Sequence, residues 1–145
     1  MAVNRKDIRQ AFASLLQTTM VGAGKPAQVL YAYRPADFSG QSPVVTVSSS
    51  GSNRKSVTRA ASTADVYLQI GLFVLYSDVS AWSPSDSENA LDDLEAALAT
   101  VMEQNQAATL WYSLDYSSRS QRMDVMIGGQ EYAFEPVEVI IRTNG

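Results

Sequence analysis

The stretch DVYLQIGLFVLY, from Asp65 to Tyr76, constrains this chain more than any other. Its even positions Val66, Leu68, Ile70, Leu72, Val74 and Tyr76 are all apolar, while the odd ones run Asp65, Tyr67, Gln69, Gly71, Phe73 and Leu75. A period of two, with one dry face and one mixed face, predicts a strand. At about 3.3 Å per residue it spans about 40 Å, well beyond the usual five or six residues. Such a strand belongs in the middle of a sheet with helices over its even face.

Two stretches carry helical periodicity. From about Arg5 to Thr18, Ile8, Phe12, Leu15 and Leu16 form one stripe with Ala11, and Asn4 is placed to cap it with Asp7 in the first turn. From about Asp86 to Asn105, Leu91, Leu94, Leu98, Val101 and Met102 recur at helical spacing behind a Ser85-x-x-Glu88 capping box. The remaining elements read as strands: Gln28 to Tyr33, Pro43 to about Val47, Leu110 to Tyr116, Arg122 to Ile127, and Glu131 to Arg142 after a Gly128-Gly129 hairpin turn. In Leu110 to Tyr116 the alternation sets Leu110, Tyr112, Leu114 and Tyr116 against Trp111, Ser113 and Asp115. Pro136 lacks a ladder donor and is expected at an edge or bulge. Every strand connection except the crossover through the second helix can be a hairpin. The expected fold is α+β: a mostly antiparallel sheet of about six strands with two helices packed on one face, in a single domain over residues 1–145.

The 145 residues contain no cysteine and no histidine. Disulfides, thiolate nucleophiles, histidine bases and nearly all zinc chemistry are therefore excluded. Adjacent Asp92 and Asp93 do not form an acid/base pair, because neighbours on a helix point about 100° apart. Gly22 and Gly24 beside Lys25 do not make a phosphate loop, since a helix precedes them and Pro26 follows. No catalytic, metal or cofactor site is expected. No apolar run reaches the roughly 18 residues of a membrane span, and the amino terminus turns amphipathic too early for a signal peptide.

Charge is distributed unevenly along the chain. Up to Arg59, Arg5, Lys6, Arg9, Lys25, Arg34, Arg54, Lys55 and Arg59 face only Asp7 and Asp37; from Ser77 to Ser118, Asp78, Asp86, Glu88, Asp92, Asp93, Glu95, Glu103 and Asp115 face no base. Two solvated surfaces of opposite sign explain this, and so does a subunit contact in which the two surfaces meet. Residues 48–63, SSSGSNRKSVTRAAST, have almost no apolar content and join two strands, so a long mobile loop is expected there. Its Arg54, Lys55 and Arg59 suit a protein partner or nucleic-acid phosphate, although no aromatic residues interleave them for base stacking. Trp82, alone in a polar stretch, either packs on the second helix or anchors a partner.

A capped amino-terminal helix, PVVTVSSSGS leading into a basic serine-rich segment, a long strand, and an acidic helix behind S-x-x-E together resemble the tail terminator (tail completion) proteins of long-tailed bacteriophages. The resemblance implies a late, non-enzymatic virion protein that forms a hexameric ring, caps the tail tube, ends its polymerisation and joins it to the head connector. The homo-oligomer, tail tube protein and head connector protein would be its partners. It implies assembly in the host cytoplasm and residence in the tail, no membrane, and DNA only in passage through the lumen. Arg5 and Arg9 against Asp92, Asp93 and Glu95 would supply the contact between ring subunits. Arg54, Lys55, Arg59 and Trp82 would meet partners, and Tyr67 and Phe73, on the mixed face of the long strand, would be buried by a neighbour. A tube or other head-tail joining or secretion-tube component, and a monomeric binding domain, are the alternatives.

Overall fold

The computed structural model describes residues 3–56, 62–76 and 83–144. Its elements are α1 (Arg5–Met20), β1 (Val29–Tyr31), β2 (Val44–Ser56), β3 (Ser62–Leu75), α2 (Pro84–Gln104), β4 (Ser113–Tyr116), β5 (Met123–Ile127) and β6 (Gln130–Asn144). The strands form one six-stranded sheet in the order β1-β2-β3-β6-β4, with β5 pairing β6 beside β4. All pairings are antiparallel except β1 with β2. Both helices pack on one face of this sheet, so the fold is α+β as the periodicities indicate.

The long strand is central, and its even face is dry. Val66, Leu68, Ile70, Leu72 and Val74 are fully buried against Ile8, Phe12 and Leu16 of α1 and Leu91, Leu94 and Leu98 of α2. Each side chain of this size contributes about 1.5–3 kcal/mol on burial, and this layer is the main core. α1 lies over β1 and β2, and α2 over β3 and β6. Asn4 caps α1 by accepting from the Lys6 N–H at 2.8 Å. α2 starts earlier than the capping box predicts: Ser83 is the cap, accepting from the Asp86 N–H, and Pro84 fills the first helical position. Proline suits that position because its missing N–H would be unpaired there in any case. Glu88 is thereby released to pair with Arg122.

The other face carries a second, aromatic core. Phe73 stacks on Phe134 (4.3 Å, 4°) and meets Phe38 edge-on at 4.8 Å, and Tyr132 closes the group with its hydroxyl donating to the Gln41 carbonyl at 2.9 Å. Phe38 comes from the segment between β1 and β2. That segment carries the chain back so that β1 runs parallel to β2, and the expected hairpin is a crossover instead. Phe73 is therefore 2% exposed inside its own chain, and the expectation that a neighbour buries it is corrected.

The expected mobile loop over 48–63 is also corrected. Ser48–Ser56 and Ser62–Thr63 are strand, paired in register out to Ser56 opposite Ser62, and only residues 57–61, outside the described residues, join them. The serine-rich part of β2 is held by its ladder to β3, whose Ala64, Val66 and Leu68 beside it carry the buried side chains of this part of the sheet. A bulge at Ser50 interrupts the pairing between Ser49 opposite Leu68 and Gly51 opposite Tyr67. Near the carboxyl end, β4 begins only at Ser113, and Trp111 is buried rather than on a polar face. Its Nε1 donates to the Asn105 carbonyl at 3.0 Å, and its ring meets Phe12 edge-on. Pro136 pairs with Gly71 of β3 on one side. On the other it faces the gap between β4 and β5, the side on which the Glu138 carbonyl accepts from Ser117, so its missing donor costs no ladder bond.

Candidate functional site

The bulge at Ser50 sets the first feature. Before it, Val45 and Val47 point to the helix side, opposite Leu72 and Ile70; after it, Ser52 and Arg54 do so, opposite Val66 and Ala64. A one-residue slip exchanges the two faces of a strand. Arg54 is thus carried to the amino-terminal end of α1, where its Nη2 donates to the Val3 carbonyl at 2.9 Å.

Val3, Asn4, Arg5, Lys6, Arg9, Ser52 and Arg54 line an open groove of about 580 Å³. Arg9 reaches across to Ser49 Oγ at 3.3 Å, and its buried Nε has no partner. The ion pairs among the described residues, Arg122 with Glu88 and Arg142 with Asp65 and Asp115, all lie elsewhere. Among the described residues no carboxylate lies within 4.0 Å of the four cations of the groove, of which Arg5, Lys6 and Arg54 are exposed and Arg9 half-buried, and the positive end of the α1 dipole adds to their field. Lys55, exposed and opposite Thr63, points to the other face of the sheet.

The second feature is acidic. Glu88, Asp92, Glu95 and Glu103 follow one another down one side of α2 at helical spacing. Glu88 meets Arg122, and the charges of Glu95 and Glu103 act on Tyr116, so this side of α2 faces the β4 and β5 end of the sheet. Burial, and after it Glu95 and Glu103, raise the Tyr116 phenol above its ordinary 10.0. Tyr116 and Tyr112 are nonetheless 45% and 50% exposed on either side of buried Leu114. Carboxylates on α2 and two exposed tyrosines at β4 make a surface that accepts cations both by charge and on ring faces.

Of the residues singled out in the sequence, Arg5, Arg9 and Arg54 come together, with Lys6 added. Asp92 and Glu95 share the acidic side of α2, whereas Asp93, exposed as well, points about 100° away from Asp92. Tyr67 is half-buried opposite Ile140 on the open part of the non-helical face. Arg59 and Trp82 lie outside the described residues. The sequence reading missed Tyr112 and Tyr116, whose alternation with Leu114 reads as core, and Glu103, whose link to Tyr116 requires the packing of α2 against β4.

The basic groove and the acidic face lie at opposite ends of the strand order. β2 pairs β1 only over Val44–Thr46, so from Val47 outward β2 is the sheet edge among the described residues, and β4 is the edge at the other end. The described residues hold no cluster of three or more metal-ligating side chains. No helix among them is long and apolar enough to cross a membrane. Neither a comparison with models of known protein families nor a search among characterised proteins finds a match to this chain.

Proposed function

We propose that this chain is a non-enzymatic assembly subunit that closes into a ring, and that the ring is a tail terminator, capping a phage tail tube and offering its far side to the head connector. The observation that carries self-assembly is the opposite charge on opposite edges of one sheet. A groove at one edge and its complement at the other define a contact between unlike surfaces, which repeats from subunit to subunit and closes if the rotation permits. The step from ring to tail terminator rests on the resemblance in element order, capped helices and the basic serine-rich β2 arm. In this reading the outer end of β2 with Lys55, and Arg59 in the segment that follows it in the sequence, are offered to the tube, and DNA passes through the lumen without being read.

Absolute mass by light scattering behind a sizing column, at low and high salt, tests this. A closed ring that weakens with salt is expected, since exposed charges more than about 8–10 Å apart are screened at physiological ionic strength. Growth into open tubes would make the chain a tube component instead. A monomer at all concentrations, unchanged by purified tails, would overturn the assembly reading.

A further inference from the structure

The basic groove and the tyrosine-glutamate face are complementary in more than sign. The groove presents guanidinium groups whose known bonds leave donors free: Arg54 spends one on Val3 and Arg9 one on Ser49. The opposite edge presents the exposed carboxylates of Glu95 and Glu103 on α2 and, at β4, the exposed rings of Tyr112 and Tyr116. Arginine pairs with carboxylates in a fixed fork and also stacks on aromatic faces, so one kind of side chain satisfies both parts of that edge. Exposed tyrosines beside charges are the residues that carry binding energy at interfaces, whereas ion pairs at the rim mainly set register.

We infer that the basic groove of one copy docks on the tyrosine-glutamate face of the next, with Arg5, Arg9 and Arg54 taking the carboxylates of Glu95 and Glu103 between Tyr112 and Tyr116. This rests on the proposed self-assembly and specifies its contact. A second copy fits this groove better than a polyanion does. Four cations across about 580 Å³ match a few side chains rather than a phosphate track, and a patch of exposed carboxylates stands at the other edge of the same chain. The two faces lie at opposite sheet edges, so a chain cannot satisfy itself. A pair joined this way keeps one groove and one acidic face open for the next subunit.

Charge reversal separates this contact from self-assembly in general. Arg5→Glu with Lys6→Glu reverses the groove, and Glu95→Lys with Glu103→Lys reverses the face; all four positions are exposed, and circular dichroism checks that each variant folds. Each variant alone should assemble about tenfold or more weakly than wild type, and an equimolar mixture should regain assembly, because each reversed surface then meets an opposite one. Tyr112→Ala with Tyr116→Ala should weaken assembly by a similar factor, without rescue from either charge variant. The absence of cysteine allows a second readout: Lys6→Cys on one chain and Glu103→Cys on another should cross-link to each other in preference to themselves. If wild type assembles and both charge variants assemble equally well, or if the mixture stays dissociated, the inferred contact is wrong and self-assembly stands. If wild type stays monomeric at millimolar concentration and purified tails leave it so, both are wrong.

Discussion

Replacing Gly71 by alanine adds one methyl group at the centre of the sheet, where nothing can move aside. Gly71 lies opposite Thr46 on β2 and Pro136 on β6. A Cβ built there falls well inside contact distance of Thr46 Oγ1, 2.8 Å from Phe73 Cε1 and 3.3 Å from Phe134 Cε1. Carbon pairs settle at about 3.5–4.0 Å, and all three neighbours are buried, Thr46 and Phe73 at 2% exposure and Phe134 at 6%. Overpacking of this kind costs about 1–3 kcal/mol. Against it stands a gain of about 0.4–1 kcal/mol from restricting the unfolded chain. With rigid neighbours on two sides the clash wins, for a net loss of about 1–2 kcal/mol. At about 2.1 cal/mol/K per residue, 145 residues unfold with an entropy of about 0.3 kcal/mol/K, so Tm should fall by about 3–7 °C. Calorimetry on wild type, Gly71→Ala, Thr46→Ala and the double variant gives both the loss and its source. Removing the Thr46 hydroxyl should lower the cost of the added methyl group by about 0.5 kcal/mol or more. An unchanged Tm in Gly71→Ala, or the same cost in both backgrounds, would refute the clash.

Ser87, fully buried in the first turn of α2, donates to the Leu75 carbonyl at 2.8 Å and ties the helix to the end of β3; Ser87→Ala should cost about 1–2 kcal/mol, read as a lower urea midpoint at unchanged slope. Burial, and after it the charge of Asp37 and then Tyr31, raise the Tyr132 phenol above 10.0. A folded value above the unfolded one means that its stabilisation is whole below about pH 10 and is lost as pH rises through the folded value. Thermal melts from about pH 9 to 12 should therefore show a steeper fall in wild type than in Tyr132→Phe, although the variant starts lower for want of the bond to Gln41; parallel curves would refute the assignment.

Period-two and helical patterns made the helix-side core legible, because β3, α1 and α2 each carry their own apolar stripe. The aromatic core was not legible in the same way. Phe73, Phe134 and Tyr132 sit on strands whose mixed face can be wet or covered, and the cover, Phe38, arrives from a segment between two strands that pairing alone does not place. Trp111 illustrates the same limit. It is buried because the chain between α2 and β4 turns irregularly against Phe12 and Asn105, and strand alternation assigned it to the wrong side.

The candidate site depends on a subtler feature still. Charge asymmetry along the chain is plain in the sequence, but whether Arg54 or Lys55 joins Arg5, Lys6 and Arg9 depends on the parity of β2. If the alternation of Val45 and Val47 continued unbroken, Gly51, Asn53 and Lys55 would share their face, and Arg54 would point to the far side of the sheet. The bulge at Ser50 adds one residue to β2 without advancing the pairing with β3, and every later side chain changes face. Ser50 itself is turned toward the other face, where its hydroxyl donates to Glu138 at 3.1 Å. A guanidinium, with its planar fork and long reach, is thereby placed against the Val3 carbonyl at the start of α1, and the ammonium of Lys55 is left on the opposite surface. The groove therefore owes Arg54 to a single serine, the last of the three from Ser48 to Ser50, a position that carries no signal in composition or periodicity.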